Sequence, residues 1–144
     1  MNFIQDNESK SAYGVIRGLH YQLEPYAQAK LVRVIEGKVF DVAVDLRENS
    51  PTFGKWFGIE LSSNNKKQLF IPRGFAHGFS VLSETAIFAY KCDNIYNREA
   101  ERAINLADPR LNIDWKLHES ERIISEKDKD APLFNEAEKK FVLR

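Results

Sequence analysis

Apolar and polar residues alternate through the early and middle parts of the chain instead of recurring every three or four positions. In Lys38-Val39-Phe40-Asp41-Val42-Ala43-Val44-Asp45, the side chains of Phe40, Val42 and Val44 share one face, and Asp41 and Asp45 share the other. Period two belongs to a strand, whose successive side chains point to opposite sides. The runs Trp56-Phe57-Gly58-Ile59-Glu60-Leu61, Gln68-Leu69-Phe70-Ile71 and Ala86-Ile87-Phe88-Ala89-Tyr90-Lys91-Cys92 read similarly and are rich in the residue types that pack well on a pleated surface. Turn formers punctuate them: Gly14, Gly18, Pro25, Gly37, Asn49-Ser50-Pro51, Asn64-Asn65 and Pro72-Arg73-Gly74. Short strands at this spacing predict an all-β sandwich or barrel of antiparallel strands. Near the end the period changes. Phe134, Ala137, Glu138 and Phe141 have helical spacing in a charged background, which predicts a short amphipathic C-terminal helix after Pro132. Because charges are dense from Glu119 to Lys140, that end reads as a solvated tail following a single core.

Composition narrows this picture. With 144 residues, 43% of them hydrophobic, the chain can build one domain over residues 1–144 with a real core, and two would be cramped. Its 21 basic and 21 acidic residues cancel, so bulk charge lends no support to nucleic-acid binding. Cys92 is the only cysteine, which rules out an intrachain disulfide and a cysteine-based zinc cage, and suits a reducing compartment. No apolar run approaches the roughly 18 residues that span a bilayer, and residues 1–10 are polar, unlike an export signal. The expectation is a cytoplasmic protein that meets neither membrane nor nucleic acid.

The candidate chemistry gathers around histidine, of which there are three. His20 lies in Arg17-Gly18-Leu19-His20-Tyr21-Gln22, and His77 in Ile71-Pro72-Arg73-Gly74-Phe75-Ala76-His77-Gly78-Phe79. An imidazole in a β-rich polar pocket is a ready general base, although a satisfied structural histidine is the commoner case. His77, Phe79 and Val81 share a face, and Asp41 is a plausible carboxylate partner for His77. The Pro-x-Gly-x-x-His pattern at Pro72, Gly74 and His77 resembles the second half of the cupin signature. Where metal-binding cupins supply a His-x-His pair, this chain has His20-Tyr21-Gln22, so a tight metal site is one imidazole short.

Together with Lys30-Leu31-Val32-Arg33, Val39-Phe40-Asp41-Val42-Ala43-Val44-Asp45-Leu46-Arg47 and Ser50-Pro51-Thr52-Phe53-Gly54, these blocks resemble the dTDP-4-dehydrorhamnose 3,5-epimerases, in order and over nearly the whole chain. The resemblance implies a homodimeric jelly-roll (cupin) barrel that inverts C3 and C5 of a 4-keto-6-deoxyhexose carried on dTDP, with no cofactor and no metal. By resemblance His20 is the base, Asp128 the carboxylate that orients it, Lys30 the cation at the developing oxyanion and Tyr90 the acid on the opposite face of the ring. Removing a hydrogen beside a ketone leaves an enolate, which needs both a base and a positive partner. Gln5, Asp6, Asn7, Arg17, His77, Glu101 and Lys127 match positions that contact the nucleotide sugar, and Tyr96 matches an aromatic that stacks near it. Arginine and lysine suit a diphosphate, and an aromatic ring suits a thymine face.

The family pattern begins with strands upstream of the segment matched by Gln5-Asp6-Asn7, bearing nucleotide-clamping residues. Without them part of the clamp is missing and a sheet edge is left uncovered. The same residue set would also serve an enzyme that inverts only C3 or only C5 on a related nucleotide sugar, and a cupin that binds a sugar nucleotide without turning it over remains open.

Overall fold

The computed structural model describes residues 1–143, and its regular secondary structure is almost wholly antiparallel strand. In chain order these are β1 (Gln5–Ala12), β2 (Ile16–Gln22), β3 (Lys30–Glu36), β4 (Lys38–Asp45), β5 (Trp56–Ser62), β6 (Gln68–Ile71), β7 (Phe75–Val81), β8 (Thr85–Cys92) and β9 (Glu101–Ala103). One sheet has the order β1-β8-β3-β6, and the other β5-β4-β7-β2-β9. The strands predicted from alternation over residues 38–45, 56–61, 68–71 and 86–92 are β4, β5, β6 and most of β8.

Two cores form, one on each side of the five-stranded sheet. Between the sheets lie Val32, Val34 and Phe88 from one and Val39, Ala43, Leu61, Phe79 and Val81 from the other, with the Phe79 and Phe88 rings stacked at 4.4 Å. The opposite face of β4, carrying Phe40, Val42 and Val44, packs under Leu111, Trp115, Phe134 and Phe141. Both faces of β4 are therefore buried, and Asp41 and Asp45 lie on the side that faces the other sheet.

This second core corrects the expectation of a solvated tail. Most charged residues of the C-terminal stretch face water, but Asp128 is buried, and so are Phe134, Ala137 and Phe141, the last three covering the sheet as a third layer. The helix expected after Pro132 is also replaced by something shorter. The Leu133 carbonyl accepts from the Glu136 and Ala137 N–H groups at 2.9 and 3.0 Å, closing one turn. The Lys139 ammonium then donates to the Phe134 and Ala137 carbonyls, and Phe141 makes a strand-like bridge to Arg47. Packing against the sheet decides the conformation here, because so short a helix has little stability of its own. The helical segments of this region lie before Pro132, as a 3-10 turn at Glu119–Glu121 and α1 at Glu126–Lys129. Among the described residues no helix is long and apolar enough to cross a membrane.

Candidate active site

At one end of the sandwich the sheets part around a cavity of about 340 Å³. Its walls follow from register, since residues directly opposed on antiparallel strands point the same way. From the four-stranded sheet, Gln5 and Lys30 stand opposite Cys92, and Asn7 opposite Tyr90, and all five line the cavity. From the other sheet come His20 and Gln22, two positions apart on β2. Tyr96 and Glu101 complete the rim.

The local sequence of β2 explains how His20 is held. Between Arg17 and His20 the pairing with β7 shifts register, and Gly18 adopts φ +146° where a Cβ would lie 2.8 Å from the Gly78 backbone. Only glycine fits so close an approach. The Gly18 N–H donates to Asp128 Oδ2 at 3.2 Å, while Asp128 Oδ1 lies 2.7 Å from His20 Nε2. Asp128 belongs to α1, whose first turn is capped by the Ser125 hydroxyl. Burial alone would raise the Asp128 carboxyl, but the hydrogen bond and charge of His20, the Gly18 N–H and nearby Lys127 outweigh it, so its pKa falls below the ordinary value. The carboxylate is thus ionised and ready to stabilise a positive imidazole.

Across the cavity the Lys30 ammonium lies 5.5 Å from the centre of the Tyr90 ring. Burial lowers the Lys30 pKa, opposed by Cys92, Asp41 and Glu101. Burial also raises Tyr90, assisted by Cys92 and opposed by Arg17, so the phenol keeps its proton and can donate it. An imidazole with an ionised carboxylate partner, a desolvated lysine amine and a protonated phenol therefore share one partly enclosed space, an arrangement chemically suited to moving a proton across an enolate.

At the rim Glu101 accepts from the Tyr96 hydroxyl and, at 2.8 Å, from Lys127 Nζ. Burial would raise the Glu101 carboxyl, but these two partners pull it below its ordinary value. Lys127 itself is exposed.

Among the residues singled out in the sequence, Gln5, Asn7, His20, Lys30, Tyr90, Tyr96 and Glu101 line the cavity, with Asp128 directly behind His20. Arg17, Lys127 and Asp128 border a neighbouring depression of about 370 Å³ that shares His20 with the cavity. His77 does not reach the cavity: it is buried within the sandwich with its Nε2 2.7 Å from Asp41 Oδ1. Asp6 faces away from the cavity, paired with Lys91 at 2.8 Å. Tyr21, Gln22, Gln28 and Cys92 line it without having been singled out. For Gln22 and Cys92 the signal was available, because each lies two positions beyond a candidate residue on the same strand. Among the described residues no group of three or more His, Cys, Asp or Glu is placed to hold a metal.

The model of one family, dTDP-4-dehydrorhamnose 3,5-epimerase, matches residues 1–136. A curated relative of that name from Shigella flexneri is 56% identical over 138 residues, which are 96% of this chain and 75% of the relative. The chain belongs to the dTDP-4-dehydrorhamnose 3,5-epimerase family. Solved structures of the family agree with the fold. The Elizabethkingia anophelis NUHP1 enzyme superposes with a TM-score of 0.92 at 63% identity, covering 93% of this chain and 73% of that one. A dTDP-6-deoxy-D-glucose-3,5-epimerase from Legionella pneumophila Philadelphia 1, solved in complex with dTDP-4-keto-L-rhamnose, gives 0.90 at 56% identity over 94% of this chain and 71% of that one. These family structures support the cupin-like jelly-roll expected from the chain's motifs.

Proposed function

We propose that the chain converts dTDP-4-dehydro-6-deoxy-D-glucose to dTDP-4-dehydro-L-rhamnose by inverting C3 and C5. The observation that carries this reading is the His20–Asp128 pair, 2.7 Å apart, opening into the cavity that Lys30 and Tyr90 also line. His20 takes a proton from the carbon beside the ketone, and Asp128 balances the charge that the ring gains. The electrons move onto the carbonyl oxygen, where Lys30 stabilises them. Tyr90 returns a proton from the other face; once His20 has released its proton to solvent and the phenolate has taken one up, the cycle repeats at the second carbon. Two groups on opposite faces are required, because one base returning its own proton would regenerate the starting configuration.

In the same reading Gln5, Asn7, Tyr96 and Glu101 hold the nucleotide sugar from the cavity side, while Arg17 and Lys127 supply positive charge to the diphosphate from the adjoining depression. His77 contributes through the strands it stabilises, and Asp6, paired with Lys91 outside the cavity, contributes little. The working unit is a homodimer of single-domain chains, which the exposed Ile35 and Phe70 on the outer face of the four-stranded sheet favour.

Proton-exchange NMR in heavy water tests the reading directly. Deuterium entering both C3 and C5, with a product of L-rhamno configuration, is the expected result. Exchange at one carbon alone would make the protein a single-centre epimerase, and exchange at neither would overturn the proposal.

A further inference from the structure

Gln22 occupies the position at which a metal-binding cupin would have its second histidine, and the structure gives it a different task. It is 5% exposed and its amide is fully engaged. Nε2 donates to the Tyr26 carbonyl at 2.7 Å and to the Ile95 carbonyl at 3.1 Å, while Oε1 accepts from the Asn97 N–H at 2.9 Å. These groups belong to two rim loops, and Ile95 and Asn97 are the immediate neighbours of Tyr96. Further amides tie the same loops together. Gln28 donates to the Asn94 carbonyl at 2.9 Å, and Asn94 donates to the Pro25 and Ala27 carbonyls at 3.0 and 3.3 Å.

Tyr96 is 55% exposed, so packing does little to place it. Apart from the bond between its hydroxyl and Glu101, its position is set by the backbone on either side, and Gln22 grips that backbone at both points. A neutral imidazole has one donor and one acceptor and could not make the same three bonds.

We propose that Gln22 is a positioning residue for nucleotide recognition: by pinning residues 95 and 97 to the strand that carries His20, it holds the Tyr96 ring at the cavity mouth. This rests on the epimerase reading for the role of Tyr96. A loop that is already ordered loses less entropy when the nucleotide binds, so Gln22 acts on affinity. The bonds of Gln22 do not touch Asp128, Lys30 or Tyr90, and the proton-transfer step is left to those groups.

The test measures epimerisation kinetics and binding of dTDP alone, by calorimetry, for the whole chain and for Gln22→Leu, Gln22→Glu, Tyr96→Ala and the Gln22→Leu/Tyr96→Ala double variant. For Gln22→Leu the expected result is a rise on the order of tenfold in KM and in the dTDP Kd, from loss of loop ordering, with kcat within about threefold. Gln22→Glu keeps an acceptor for the Asn97 N–H but sets a carboxylate against the Tyr26 and Ile95 carbonyls, so it should weaken dTDP binding at least as much as Gln22→Leu. The double variant should bind dTDP no more weakly than Tyr96→Ala, because both changes remove the same contact. Additive losses, or a kcat that falls as far as KM rises, would overturn the proposal. If Gln22→Leu does not fold, Gln22→Glu, with its fold checked by circular dichroism, is measured with and without Tyr96→Ala: unchanged dTDP affinity, or a weakening that persists in the Tyr96→Ala background as a direct charge effect would, sinks the idea, and a weakening that Tyr96→Ala abolishes upholds it. A wild-type chain that binds dTDP but exchanges no deuterium would defeat the epimerase reading alone, and the dTDP measurements would still decide the role of Gln22.

Discussion

Two histidines of this chain each lie 2.7 Å from an aspartate, with Cα atoms paired across β2 and β7, and they are equipped for opposite tasks. The His20 side chain is 36% exposed and opens into the cavity, whereas His77 is 7% exposed and its partner Asp41 is wholly buried. The second oxygen of Asp128 is satisfied by the Gly18 N–H, but the second oxygen of Asp41 has no partner among the described residues. Burial lowers the His77 pKa against the pull of Asp41, and it raises the Asp41 pKa against the pull of His77 and Lys30. Around Asp128 the partners win and the carboxylate stays ionised. The hydrogen bond alone therefore does not make a base. What separates the pairs is access to substrate and a carboxylate whose charge is already compensated.

The sharpest way to break the comparison is to remove each histidine in turn. His20→Asn should reduce kcat roughly 10⁴-fold and abolish deuterium exchange at both carbons, the upper end of what a general base contributes, while the melting temperature stays near that of wild type. Retained exchange would point to a different base. Asp128→Asn leaves the imidazole in place but removes the charge that balances it, so a fall in kcat of about 10²-fold or more is expected. Single-turnover measurements would show that loss in the chemical step; an intact rate would demote Asp128 to a structural contact.

For the buried pair the loss should appear in stability. His77→Ala removes the one side-chain hydrogen-bond partner that Asp41 has among the described residues, which costs about 3–5 kcal/mol when a buried pair is broken, measurable by urea denaturation. The Asp41→Leu/His77→Phe double variant should recover most of it, since an apolar replacement of a buried pair is often near neutral. The pH dependence has a definite sign. The folded His77 pKa lies below its ordinary value of 6.5, so below that pH the unfolded chain takes up a proton that the folded chain refuses. Stability conferred by this histidine is therefore present above about pH 6.5 and declines as pH falls towards the lower, folded value. That decline should be absent from the double variant; if it persists unchanged, His77 is not its source.

Period-two alternation made β4, β5, β6 and β8 legible, because a strand's pattern is local. The three-layer arrangement was hidden for the opposite reason. Phe134 and Phe141 stand among charged residues, and only the sheet they cover reveals that they belong to a core. Helical spacing misled at the same place, where Lys139 and the bridge from Phe141 to Arg47 end the turn after one cycle. In the site, His20 stood out as a polar residue in a strand pattern, but its partner Asp128 is 108 positions away and was reachable only through resemblance. Gln22 had the right spacing from His20, yet its value lies in bonds to backbone over 70 positions distant, which no local pattern records.

The smallest expected effect tests whether alternation itself sorts binding residues from bystanders. Asp6 and Asn7 are neighbours on β1, so their side chains leave opposite faces of the sheet. Asn7 lines the cavity, whereas Asp6 meets Lys91 at 2.8 Å with its side chain 75% exposed. A water-exposed ion pair contributes little, because solvent and salt screen it and two mobile side chains must be ordered to form it. Asp6→Ala should therefore leave KM within about twofold and move the melting temperature by no more than about 3 °C. Asn7→Ala, which removes a neutral hydrogen-bonding group from the cavity wall, should raise KM by roughly three- to tenfold. Equal effects of the two changes would mean that the face on which a β1 side chain lies does not decide its role. A larger effect of Asp6→Ala would move the nucleotide to the outer side of the sheet.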